Sequence, residues 1–170
     1  MTVYVALLRA INVGGTGRLP MAALKAMCEA AGFQAVRTYI ASGNVVFSAA
    51  GSEREVKAAL EERLLIHAGR PVGVVIRSAD EIRHIFEANP FPDAPPDRTV
   101  AICLDAAPPA DTLQRLKGRQ DEEVRLGKRE IYVAYGAGMG RSKLAIPAAA
   151  SGTARNMNTI AKLAELAAAM

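Results

Sequence analysis

The sequence predicts an α+β protein of two ferredoxin-like (βαββαβ-type) subdomains, the second incomplete. Three observations predict this. The first 77 residues run strand, helix, strand, strand, helix, strand. Residues 99–170 repeat that order but stop at a helix, so they lack a final strand. Hydrophobic residues make up 51% of the chain and charged ones 22%, a globular balance with no apolar run near the roughly 20 residues of a membrane span.

Val3 to Arg9 (VYVALLR) is a nearly continuous apolar run, as in a strand buried on both faces. The loop AINVGGTGRL follows. Pro20 then suits the first position of a helix whose apolar residues are Met21, Leu24, Met27, Cys28 and Ala31, ending at Gly32. Val36 to Ala41 and Val45 to Ser48 read as strands joined by a two-residue hairpin at Gly43-Asn44. Ser52-Glu53-Arg54-Glu55 is a capping box opening a helix over Val56, Leu60 and Leu64. Pro71 to Arg77 is the next strand. A second capping box, Ser78-Ala79-Asp80-Glu81, opens a helix that buries Ile82, Ile85 and Phe86.

Asn89 to Arg98 holds four of the nine prolines, so it cannot continue a helix or join a central strand. The expected organisation is residues 1–88 as the first subdomain with its following helix, 89–98 as a linker, and 99–170 as the second subdomain with a C-terminal helix. In that second part Thr99 to Leu104 is a strand and Ala110 to Lys117 a short helix ending at Gly118. Glu123 to Arg125 and Glu130 to Tyr135 form a hairpin turning at Gly127-Lys128. Gly136 to Gly152 is a long loop. Thr153 to Met170 reads as a helix with Ile160, Leu163, Leu166 and Met170 as its stripe.

Net charge is +4, and the positive excess sits at the two ends of the chain. Residues 1–50 carry four basic side chains against one acidic, and residues 121–170 seven against five. Such a balance admits an anionic partner, and it also fits ordinary surface charge. The two cysteines, Cys28 and Cys103, fall on an apolar helix face and in a strand, so they read as core residues. His67 and His84 have no second ligand at metal spacing. Asp105, at a strand end, is the carboxylate that merits inspection. No cofactor is expected. Neither a signal peptide nor a membrane span is read, so the expected location is cytoplasmic.

Three segments carry candidate chemistry. Arg9 to Arg18 leaves a strand and enters a helix, with Asn12, Gly14 and Gly15 inside it. Backbone N–H groups pointing into such a loop, with Arg18 beside a helix N-terminus, suit a phosphate or carboxylate. The spacing matches neither the Rossmann fingerprint nor the P-loop, and a tight structural turn is the competing reading. Gly136 to Lys143 also follows a strand and ends in Arg141, Ser142 and Lys143, where Arg141 can grip an oxyanion with paired hydrogen bonds. A loop this long is usually functional or mobile. In Ser151 to Thr159, Thr153 is the expected N-cap. Asn156 falls on the apolar face of Ile160 and Leu163 at about 100° per residue, so it needs a hydrogen-bond partner inside the protein or a polar pocket shared with Arg155.

Three blocks, LLRAINVGG (Leu7 to Gly15), VRTYIASGNVVF (Val36 to Phe47) and TARNMNTIAKL (Thr153 to Leu163), together resemble the bacterial domain-of-unknown-function 1697 family. Their order and spacing fit over essentially the whole chain. The resemblance implies intertwined ferredoxin-like subdomains and carries no activity with it. It points to Arg9, Asn12, Gly14, Gly15, Ser42, Gly43, Asn44, Ser142, Lys143, Arg155, Asn156 and Asn158. Ala10 stands where the family usually has glycine and Met157 where it usually has tryptophan, so no ring-stacking role carries over to Met157.

The leading functional expectation is a domain binding a small anion, a phosphate or nucleotide. Its ligand residues are Arg9, Asn12, Gly14, Gly15, Arg18, Ser42, Asn44, Arg141, Ser142, Lys143, Arg155, Asn156 and Asn158. The alternatives are an RNA-binding protein, stacking bases on Tyr4, Tyr39, Tyr132 and Tyr135, or an enzyme of unknown reaction. With only 5% aromatic residues and no tryptophan, stacking groups are few. The expected assembly is a monomer or homodimer with no membrane partner.

Overall fold

The β-branched and apolar run at the N-terminus forms strand β1 (Thr2–Leu8), buried from Tyr4 onward. The computed structural model describes residues 1–9, 18–40, 42–136 and 138–170. The chain divides into two units: Met1–Ile82 with Leu163–Met170, and Arg83–Lys162.

In the first unit β1 is followed by α1 (Met21–Ala30), β2 (Gln34–Tyr39), β3 (Asn44–Ala49), α2 (Glu53–Ala68) and β4 (Val74–Ser78). The sheet order is β2-β3-β1-β4 with all neighbours antiparallel, the arrangement of a βαββαβ unit. Helix α1 packs on β2 and α2 on β4. Their apolar faces close over Tyr4, Ala6, Leu8, Val45, Phe47 and Ile76. Phe33 stacks on Phe47 with ring centroids 4.3 Å apart. The capping box is complete: Glu55 N–H donates to the Ser52 hydroxyl and Ser52 N–H to the Glu55 carboxylate. The second box also forms, with Ser78 N–H on Glu81 and Glu81 N–H on Ser78. It turns β4 directly into α3 (Ala79–Glu87) with no loop between them.

The second unit contains β5 (Thr99–Cys103), β6 (Glu123–Leu126), β7 (Glu130–Ala134) and β8 (Thr153–Asn156), in the order β6-β7-β5-β8. That is the sheet order of the first unit repeated, so the expected missing strand is present. It is TARN, at the start of what the sequence reads as one long helix. The helix α4 begins only at Met157 (Met157–Ala168). Gly152 sets up the change: a Cβ there would lie 2.7 Å from Ile102 Cγ2 and 2.8 Å from Leu104 Cδ2, so only glycine lets the chain run this close to β5.

Among the described residues this half has only 3-10 turns where the first unit has its two covering helices. Ala110 to Lys117 forms a single 3-10 turn at Leu113–Arg115 in place of the expected helix. Leu116, Leu144 and Ile146, from irregular segments, pack on Val100, Ile102, Val124, Ile131 and Val133. The opposite face of this sheet anchors α3, where Tyr132 donates its hydroxyl to the Ile85 carbonyl at 2.9 Å. Ile82 and Ile85 are buried as expected, but Phe86, about 40° round from Ile82 on the side away from Ile85, is 45% exposed. The proline-rich segment is tied down: Asn89 accepts from Phe91 N–H, Thr99 donates to the Pro95 carbonyl, and Arg125 lies over the Phe91 ring.

Candidate functional site

The end of the first sheet where β1 finishes gathers several of the predicted residues. Leu8 N–H donates to the Gly43 carbonyl at 2.8 Å, and Arg9 N–H to the Gly73 carbonyl at 2.9 Å. The chain leaving β1 is thereby pinned between the β2–β3 turn and the segment entering β4. Arg9 is exposed, and its stem lies over Gly73, where a Cβ would stand 3.6 Å from Arg9 Cβ. Asn12, Gly14 and Gly15 lie outside the described residues. Arg18, exposed, rejoins the same end. The reason is topological: α1 closes at Ala30 beside the start of β2, which pairs Gln34 with Ser48 and hence lies level with Val3. A 10-residue helix of about 15 Å runs back along a strand of similar length, so its N-terminus stands level with Leu8.

The turn between β2 and β3 is longer than the sequence predicts. Asn44 is not a turn residue but the first residue of β3, paired with both Tyr39 and Leu7. It is 0% exposed, and its Nδ2 donates to the Tyr39 carbonyl at 2.9 Å and the Ser42 hydroxyl at 3.0 Å. Asn44 and Ser42 therefore shape the turn. Gly43 takes φ +88°, which suits glycine, but Ile40 takes φ +48°, which a β-branched residue rarely adopts.

In the second unit two of the predicted residues, Ser142 and Asn156, have structural duties. Ser142 donates to the Glu122 carboxylate and accepts from Leu144 N–H. Glu122 is 2% exposed, and the Ser142 hydroxyl holds its carboxyl below the usual range, helped by Gln120 N–H. Lys117 and Ala145 bridge across the same contact, and the Lys143 carbonyl occupies the space that a Cβ on Gly118 would need. The long loop is thus clipped down around Ser142. Arg141 and Lys143 on either side are exposed.

Asn156 caps α4, its Oδ1 accepting from Thr159 N–H at 2.9 Å. Thr153, expected as the cap, is a buried strand residue. Arg155 is half-buried on β8, and burial lowers its pKa to about 10, while the nearby Cys103 works against the fall. Asn158 is exposed in the first turn of α4. The Ser142–Glu122 clip adjoins β6 and the Arg155–Asn156 segment is β8, the two opposite edges of the sheet. Three strand spacings, about 14 Å, separate these edges.

Tyr4 and Tyr132 are buried with their hydroxyls on the Gly51 and Ile85 carbonyls, and Tyr39 and Tyr135 are half-buried. His67, His84 and Asp105 are exposed, and both cysteines are buried free thiols. Among the described residues no cluster of His, Cys, Asp or Glu suits a metal ion. Nor is any helix among them long and apolar enough to cross a membrane. Sequence reading passes over Ile40, Gly73 and Glu122. Only Gly73, ahead of an apolar run, carries a signal, that of close backbone approach.

Among the described residues the architecture is that of an α+β protein, with two four-stranded antiparallel sheets and four α-helices. The chain belongs to the family described as proteins of unknown function, DUF1697, whose model matches residues 1–132. Its fold is similar to that of the conserved bacterial protein SP0830 from Streptococcus pneumoniae, with a TM-score of 0.80, 24% identity and 98% of each chain covered. No curated protein matches the sequence.

Proposed function

We propose that the protein is a cytoplasmic binding domain for a small phosphorylated anion, held at the end of the first sheet. The observation that carries this reading is the placement of Arg9 and Arg18. Both are exposed, they stand at one end of one sheet, and the pinned turn around Gly43 lies beside them. A guanidinium grips phosphate oxygens with paired, charge-assisted hydrogen bonds. In the second unit Ser142 and Asn156 are committed to a loop clip and a helix cap, so the reading rests on the first unit.

Thermal unfolding against inorganic phosphate, sugar phosphates and nucleotides tests it. A ligand at 100 times its Kd stabilises by about 2.7 kcal/mol, a Tm shift of roughly 5–10 °C at this size. The reading predicts such a shift with at least one of these compounds, lost in Arg9→Ala and in Arg18→Ala. No shift with any of them, or a shift that survives both substitutions, rejects it.

A further inference from the structure

The candidate anion end displays an apolar group that a bare phosphate does not need. Ile40 is 48% exposed in the turn between β2 and β3. It is one of two non-glycine residues with positive φ among the described residues; the other, Ala35, lies at the irregularity in β2. Glycine or asparagine would take this conformation at less cost, and either would be better hydrated. The turn is held on both sides of Ile40. Asn44 fixes the Tyr39 carbonyl before it, and Leu8 N–H fixes the Gly43 carbonyl after it. An apolar side chain is thus held out toward solvent on a backbone that disfavours it, next to the half-buried Tyr39. Strand β3 alone separates β2 from β1, so Arg9 stands about two strand spacings, or 10 Å, from this shelf.

We infer that the site takes a nucleoside phosphate, an anion carrying a flat, weakly polar ring. The inference rests on the anion reading: Arg9 and Arg18 take the phosphate, and Ile40 with Tyr39 takes the face of the base. Apolar walls with a few placed charges are the usual make-up of a small-molecule site.

Calorimetric titration of AMP and ribose 5-phosphate into the wild type and Ile40→Gly separates the two levels of the argument. Glycine suits the turn, so the variant is expected to fold, which circular dichroism checks. In the wild type AMP is expected to bind about tenfold more tightly than ribose 5-phosphate, the gain from covering one ring face. Ile40→Gly is expected to remove that advantage and leave ribose 5-phosphate unchanged. Equal affinities in the wild type, or an AMP advantage that survives Ile40→Gly, overturn the inference while the anion reading stands. If neither compound binds the wild type, the inference fails, and the wider phosphate panel decides the anion reading.

Discussion

Replacing Asn44 with leucine, which is similar in volume, leaves the Tyr39 carbonyl and the Ser42 hydroxyl without their donor. A buried polar group stripped of its partner costs about 1–3 kcal/mol, so Asn44→Leu should lower unfolding stability by that amount in urea titration. An unchanged midpoint would mean that the turn does not depend on this side chain. Ile40→Gly should act in the opposite direction, adding about 1 kcal/mol by relieving the left-handed backbone. The sequence motif Ser42-Gly43-Asn44 is visibly a turn, but its composition hides the division of labour. Asn-containing turns usually place the asparagine at the corner. Here burial of its amide draws it into the strand and moves the strain to Ile40, a residue type that reads as plain strand.

Capped elements are the most legible in this chain, since a capping box ties residue type to position. Both Ser52–Glu55 and Ser78–Glu81 form as read. Ser52→Ala should cost about 1 kcal/mol in the same titration. Strand β8 is not legible for a physical reason. Four residues are too few to show alternation, and the strong helical stripe of Ile160 and Leu163 begins immediately after them. Only pairing with β5, a distant partner, makes TARN a strand. The loop clip at Ser142 depends on Glu122 as a carboxylate, whose folded pKa lies below its unfolded one. Its contribution is therefore full above the ordinary carboxylate range and is lost as pH falls through the depressed folded value. Proteolysis of the 138–150 loop should quicken on that acid limb. In Glu122→Gln cleavage should be faster at neutral pH and largely insensitive to pH over the same interval. A loop cut equally slowly at every pH in both proteins would refute the clip.

Each unit of the whole molecule carries one buried thiol, Cys28 in the first and Cys103 in the second. Burial, with Glu29 nearby, pushes the Cys28 thiol up to about 12, so it stays protonated and unreactive at pH 8 until its unit opens. The last eight residues, Leu163–Met170, belong to the first unit, and Leu163 and Ala167 are buried. Ending the chain after Lys162 should therefore speed labelling of Cys28 in native buffer. Protection equal to that of the full chain would show that the first unit does not need its C-terminal segment. This long-range return was beyond the reach of local pattern, because an amphipathic stripe reports that a face is buried without naming its partner. The candidate site divides similarly. Arg9 and Arg18 stand out in sequence beside glycines, whereas the second unit's Ser142 and Asn156 look equally inviting and turn out to be a clip and a cap.

The most direct measurement is a two-dimensional amide NMR titration of the full chain with AMP. Anion binding at the first sheet's end predicts that the amides of Arg9, Arg18, Ser42, Gly43 and Gly73 shift together and saturate with one Kd. Saturable shifts confined to residues 138–158 would contradict the account, as would a spectrum that AMP leaves unchanged.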